Sequence, residues 1–131
     1  MAEKKAVRYA AVVARILLGL IFLVFGSLYF FMKMPPIDTT TPMGQFSAGL
    51  LASGYFMPFL KGVETCMGLL FILNRFTPVA LLVLAPIIIQ IVLFHSFLEP
   101  SGLPLAILNL VLAVFLAWVN WDKYYKGLFK S

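Results

Sequence analysis

The chain has 131 residues, of which 63% are hydrophobic and 11% charged, and a formal net charge of +5. An ordinary soluble domain carries roughly 25% charged residues, so this composition excludes a soluble domain and assigns the chain to the membrane. Its single cysteine, Cys66, excludes an intramolecular disulfide and a C-x-x-C redox pair within the chain, and reads as a small apolar filler.

Four apolar stretches follow one another, Ala6 to Met32, Phe56 to Leu73, Phe76 to Phe97 and Pro104 to Trp121. Each is close to the ~20 residues an α-helix needs to cross a ~30 Å hydrocarbon core. None alternates as a barrel strand would, and a helix satisfies its own backbone in lipid. The expected fold is an all-α membrane protein: one domain over residues 1–131, a four-helix transmembrane bundle with spans at about 8–33, 56–74, 76–97 and 104–122.

The first stretch follows Lys4, Lys5 and Arg8, as a secretory signal would. A signal peptide has an apolar core of roughly 7 to 15 residues, whereas this one continues past Tyr29 through Phe30, Phe31 and Met32, so an uncleaved helix is expected. It should end near Met34, before Pro35 and Pro36. After the turn-forming residues 37–42 comes a segment, about 44–54, too short to span and too apolar for a free loop. It should form a short interfacial or re-entrant helix with Gly54 in a C-cap role. Asn74 to Pro78 then joins the second and third spans as a tight antiparallel hairpin. Pro86 should kink the third helix one turn before Gln90, and Pro104 should open the fourth. Trp118, Trp121, Tyr124 and Tyr125 read as an aromatic belt at the membrane surface.

The basic residues Lys4, Lys5, Arg8, Arg15, Arg75, Lys123, Lys126 and Lys130 all fall on one side of an even number of crossings. The positive-inside rule then places both termini in the cytoplasm and the loops at 34–55 and 98–103 outside. Topology thus accounts for the basicity, and no nucleic-acid partner is implied.

Polar residues within the spans carry what functional signal there is, because ionisable groups at that depth persist mainly when paired or facing a polar cavity. By a rise of ~1.5 Å per residue, Glu64 lies near mid-membrane, Lys61, Gln90 and Asn109 roughly 5 Å outward, and His95 about 12 Å outward. These five are expected to converge on the bundle interior. Helical spacing puts Arg15, Gly19, Phe22, Gly26, Tyr29 and Lys33 on one stripe of the first helix, Lys61, Glu64 and Gly68 on one face of the second, and Asn109, Ala113, Leu116 and Asn120 on one face of the fourth. Each also has a plainer reading. Arg15 and Lys33 can snorkel, Gln90 and Asn109 can pin helix to helix, His95 can cap a helix, and Lys61 with Glu64 can be a structural ion pair.

The inventory offers no ligand set for a metal site or a bis-ligated haem, no Ser/His/Asp arrangement and no phosphate loop. It does offer an acceptor, a cation, two amides and an imidazole in an apolar shell. Such a pocket suits a quinone head group, a small polar metabolite or a partner helix, with Glu64 and His95 able to carry protons.

The run Arg15-Ile-Leu-Leu-Gly19-Leu-Ile-Phe22-Leu-Val-Phe-Gly26, with Gly54-Tyr-Phe-Met-Pro58 leading into Lys61-Gly-Val-Glu64-Thr-Cys-Met-Gly68 and on to Asn74-Arg75, resembles the DoxX family of small bacterial and archaeal membrane proteins. Ala85 to His95 is similar to the third helix of its DoxX-like members. The resemblance covers almost the whole chain and is most specific from Glu64 to Arg75. It implies a multi-pass protein of the cytoplasmic membrane, in a family named for a subunit of a quinone-linked oxidoreductase. The family's Arg, Glu and first-helix glycines map onto Arg15, Glu64, Gly19 and Gly26. The leading expectation is a redox-associated subunit, itself catalytic or not, that binds a quinone or similar carrier and works with another subunit or as a homo-oligomer. The alternatives are a non-enzymatic assembly or chaperone-like factor and a small-solute transporter.

Overall fold

The computed structural model describes residues 2–32 and 36–129. The helices in order are α1 (Ala2–Phe31), α2 (Pro42–Ala52), α3 (Phe56–Leu73), α4 (Thr77–Phe97) and α5 (Leu103–Val119). A 3-10 turn, Pro100–Gly102, precedes α5, and a π turn, Trp121–Tyr125, and a 3-10 turn, Lys126–Phe129, follow it. Four helical segments are long and apolar enough to cross a membrane, α1, α3, α4 and Pro100–Val119, with α2 between the first two. The expected end of the first helix near Met34, and Lys33, lie outside the described residues.

Local chemistry sets the ends. Thr41 takes an extended conformation and its hydroxyl accepts the Gly44 N–H, so α2 starts at Pro42, two residues before the sequence reading placed it. Gly44 is required there, because a Cβ would fall 1.7 Å from the Asp38 carbonyl oxygen. The Thr40 hydroxyl and N–H both donate to Asp38, holding its carboxyl below the usual range. Gly54, at φ 81°, follows the end of α2 in the left-handed conformation expected of it. α3 ends at Asn74, also left-handed at φ 54°, where the Arg75 N–H reaches back to the Leu70 carbonyl. α4 runs unbroken through Pro86.

The spans form a ring. α1 packs on α3 and α5, and α4 closes the other side against α3 and α5. The tightest seam is α1 against α3, and glycine makes it. A Cβ on Gly19 would come within 2.9 Å of the Gly68 carbonyl, one on Gly26 within 2.6 Å of Thr65 Oγ1, and one on Gly68 within 2.5 Å of the Leu23 nitrogen. With no driving force from water inside a bilayer, such backbone approach is what holds two spans together. Phe22, Leu18, Ala14 and Phe71 fill the seam on either side, and Leu84, Ile88 and Leu116 extend the core across α4 and α5.

This antiparallel register also fixes depth. Gly26 lies opposite Lys61 and Thr65, and Gly19 opposite Gly68 and Phe71. The level of Glu64 therefore falls between Phe22 and Gly26 of α1, and Arg15, opposite Phe71, sits roughly 10 Å from that level. From Arg15 back to Ala2 the helix continues for about 20 Å. Its start, six residues ahead of the expected span, therefore lies roughly 30 Å from the level of Glu64, with Lys5, Arg8 and Tyr9 exposed.

α5 stops at Val119, short of the expected 122. The Asn120 side chain donates to the Leu116 carbonyl at 2.7 Å, competing with the helix ladder, and the chain widens into the Trp121–Tyr125 π turn. That turn swings Tyr125 inward. It is 3% exposed and its hydroxyl donates to the Pro78 carbonyl at 2.7 Å, so it belongs to the core and not to the aromatic belt. Trp118, Trp121 and Tyr124 are exposed, as a belt requires. Burial pushes the Tyr125 phenol up to about 12.

Candidate functional site

Lys61 and Glu64 are three residues apart on α3 and so share a face. Lys61 Nζ lies 3.2 Å from Glu64 Oε2, the carboxylate side chain 5% exposed and the lysine 24%. Gly26 opens the space beside them: α1 passes close enough that the Lys61 carbonyl and Thr65, whose hydroxyl donates to that carbonyl at 2.7 Å, pack directly on it. Glu64 stands at the midpoint of α3, one turn from Gly68. The expected inward face of Lys61, Glu64 and Gly68 is therefore present, as is the α1 stripe: Gly19, Phe22 and Gly26 are buried, Arg15 and Tyr29 half-buried. Removing two charges from water is costly, and the pair offsets this only through its direct contact.

Asn109 is buried on the inward face of α5, 4% exposed, and its Oδ1 has no hydrogen-bond partner among the described residues. A buried amide oxygen without a partner costs about 1–3 kcal/mol. Asn109 therefore does not pin helix to helix through that atom.

Two of the expected residues lie elsewhere. Gln90 is exposed on α4 and does not join the interior; the inward positions of that helix are Leu81, Leu84 and Ile88, and the spacing from Ile88 turns Gln90 outward. His95 is half-buried in the α4–α5 turn. Its Nδ1 lies 3.1 Å from the Glu99 carbonyl oxygen and 3.9 Å from Glu99 Oε2. Gly102 leaves room for its ring, since a Cβ there would come within 2.4 Å of Nδ1. Phe94 stands edge-on to that ring at 5.2 Å and meets Phe46 of α2 at 5.7 Å, so the short helix covers this turn. His95 thus closes a turn, the capping role its sequence position allowed.

Sequence reasoning missed two features, and left a third, the direction of Arg15, open. Cys66 is exposed on the outer surface of α3 and fills nothing. Tyr125 ties the end of the chain to the start of α4. Arg15 does not snorkel away from the bundle: its Nη1 donates to the Phe71 carbonyl, and to that of Ile72 at 3.2 Å, satisfying the last turn of α3 from a neighbouring helix. Among the described residues no group of three or more His, Cys, Asp or Glu side chains is placed to hold a metal ion.

A family model described as DoxX matches residues 10–97, from within α1 to the end of α4, and so includes Arg15, both seam glycines of α1, Lys61, Glu64 and Gly68 but not Asn109. No curated protein and no solved structure matches the chain.

Proposed function

The chain belongs to the DoxX family, and from that premise we propose that it is a redox-associated subunit of the cytoplasmic membrane, holding a quinone or similar lipophilic carrier against Lys61, Glu64 and Asn109. The buried Lys61–Glu64 pair, half way across a span, carries this proposal. The donor set fits the two states of such a carrier. The Lys61 ammonium suits a quinone carbonyl, while Glu64 and the unpartnered Asn109 Oδ1 suit a hydroquinone hydroxyl. The carrier supplies two-electron chemistry, and a partner subunit holds the second redox centre. Glu64 relays one of the two protons that accompany the two electrons, the other coming from the solvent side, while Lys61 orients the head group and the aliphatic core keeps bulk water out. His95 and Gln90 have no part in this site.

The test is mild extraction into lipid nanodiscs followed by identification of every bound small molecule by mass spectrometry. One quinone per chain is expected, lost in Glu64→Gln protein that still folds, as judged by its helical circular-dichroism spectrum. Its absence from the wild type, or its retention in Glu64→Gln, overturns the assignment.

A second reading rests on Gln90. An exposed amide within a span has neither water nor a hydrogen-bond partner among the described residues, and a helix of another membrane protein could supply the hydrogen bonds. Stable co-purification of such a protein, abolished by Gln90→Leu and accompanied by no carrier, would favour an assembly factor. In either case the ends of the bundle should be oriented with the basic residues Lys5, Arg8, Arg75, Lys123 and Lys126 inside. Cysteine labelling of those positions in Cys66→Ser protein, from either side of the membrane, tests this.

A further inference from the structure

At the basic end of the bundle, where α1 enters and α5 leaves, a recess of about 350 Å³ opens between α1, the α3–α4 turn and the end of α5. Arg15, Asn74, Thr77, Asn120 and Tyr124 supply its polar lining, and Val12 and Leu116 part of its apolar wall. We infer that this recess is a phosphate-binding site, filled by the head group of an anionic phospholipid.

The inference starts from Arg15. A guanidinium carries five N–H donors and a permanent charge, and among the described residues its partners are two backbone carbonyls, both met by Nη1. Among the described residues no carboxylate lies within ion-pair distance of it. The contact with α3 holds the side chain at the recess, so its remaining donors and its charge are presented there unpaired by any described carboxylate. Of the neighbouring groups, the Thr77 hydroxyl donates to Asn74 Oδ1 at 3.2 Å, which leaves the Asn74 amide nitrogen free to donate. Thr77 and Pro78 belong to the first turn of α4, whose dipole adds positive potential at the same place. At the rim the Lys123 ammonium rests over the Tyr124 ring, 5.2 Å from its centre. Donors and cations thus converge where an anion would sit.

Depth chooses the source of the phosphate. Arg15 lies roughly 10 Å from the level of Glu64, near the hydrocarbon boundary. The exposed rings of Phe76, Trp121 and Tyr124 stand around the same end of the bundle, where interfacial aromatics belong. A head group reaches that depth with its acyl chains already in the bilayer.

The experiment uses the full chain in nanodiscs of zwitterionic phosphatidylcholine containing a small fraction of phosphatidylglycerol, with retained lipids counted by native mass spectrometry at near-physiological salt. One phosphatidylglycerol per chain is expected, enriched at least ten-fold over its share of the bilayer. Arg15→Lys, which keeps the charge but loses the fork, should reduce that enrichment several-fold. Since Arg15 also holds α3, Val12→Trp provides the second arm: it fills the recess, leaves the Arg15 hydrogen bonds in place, and should abolish the enrichment with an unchanged melting curve. No enrichment in the wild type, or full enrichment in a stable Val12→Trp variant, overturns the proposal. Displacement of the lipid by millimolar inorganic phosphate would overturn the lipid assignment in favour of a soluble phosphate. Quinone retention should be the same in Val12→Trp as in the wild type, which separates this site from the one at Glu64.

Discussion

The α1–α3 seam and the α4–α5 seam solve the same problem by different means. Glycines bring the backbones of α1 and α3 into contact, and the charged pair beside them is complete. Between α4 and α5, larger side chains such as Leu81, Ile88 and Leu110 line an apolar groove of about 240 Å³, and the Oδ1 of Asn109, buried on α5, has no hydrogen-bond partner among the described residues. In lipid, where burial gives no hydrophobic gain between helices, the closer seam is the stronger one. The first seam should therefore be intolerant of change and the second forgiving.

The sharpest way to break that contrast is Gly68→Val. Its Cβ would fall 2.5 Å from the Leu23 nitrogen, and a backbone atom cannot rotate aside. A loss of about 3 kcal/mol, read as a lower unfolding midpoint in a mixed-detergent titration, is expected. Gly62, on the same helix, has nothing within 4 Å of its Cβ position. Gly62→Ala should match the wild type or gain up to about 1 kcal/mol. Equal losses at both positions would mean that helix propensity, and not the seam, governs α3.

Next in size is the ion pair. Lys61→Met leaves Glu64 buried without its cation and should cost about 3 kcal/mol, whereas Lys61→Met with Glu64→Leu should recover most of that, because replacing both charges removes both desolvation penalties. A double variant no better than the single one would show that Glu64 holds the fold through contacts other than Lys61.

A smaller effect is expected at Tyr125, which ties the turn after α5 to the first turn of α4. Tyr125→Phe deletes the hydrogen bond to the Pro78 carbonyl and should cost about 1 kcal/mol. The same residue gives a pH signature. Burial pushes its phenol up from an ordinary 10.0 to about 12. A raised phenol stabilises the fold fully below pH ~10, and that contribution is lost as pH rises from ~10 towards 12. Wild-type stability should therefore fall across that interval more steeply than that of Tyr125→Phe. The late phenolate absorbance contributed by Tyr125 should be missing from the variant.

The first seam was legible in the sequence and the second was not, for a physical reason. Gly19, Phe22 and Gly26 on α1 and Lys61, Glu64 and Gly68 on α3 recur at helical spacing, and a stripe of small and polar residues in an apolar span can face only another helix. α4 carries no such stripe: nearly every position is a large aliphatic residue, so its inward face could not be read and Gln90 was placed inside when it points out. Depth alone grouped Gln90 and His95 with Glu64. Depth fixes one coordinate of three, and the direction of a side chain around the helix axis decides whether it can meet another. Tyr125 was hidden for a different reason, since the π turn that swings it inward arises from a competing hydrogen bond of Asn120 and leaves no periodic trace.

The weakest effect on stability should also be the most informative. Asn109→Leu removes a buried amide whose oxygen has no partner and replaces it with a side chain of similar size, so the lost hydrogen-bonding capacity costs the fold little and the relieved desolvation offsets it. Stability should stay within about 1 kcal/mol of the wild type, on either side. A buried polar atom that does not stabilise the fold needs another reason to be there, and on the reading of the bundle as a carrier site that reason is the hydroquinone hydroxyl. Asn109→Leu should then keep its melting curve and lose most of its bound quinone. If it keeps both, Asn109 is a tolerated defect of the looser seam and the carrier site contracts to Lys61 and Glu64. If it unfolds, the amide has a structural partner under native conditions, and the contrast between the two seams is smaller than their packing indicates.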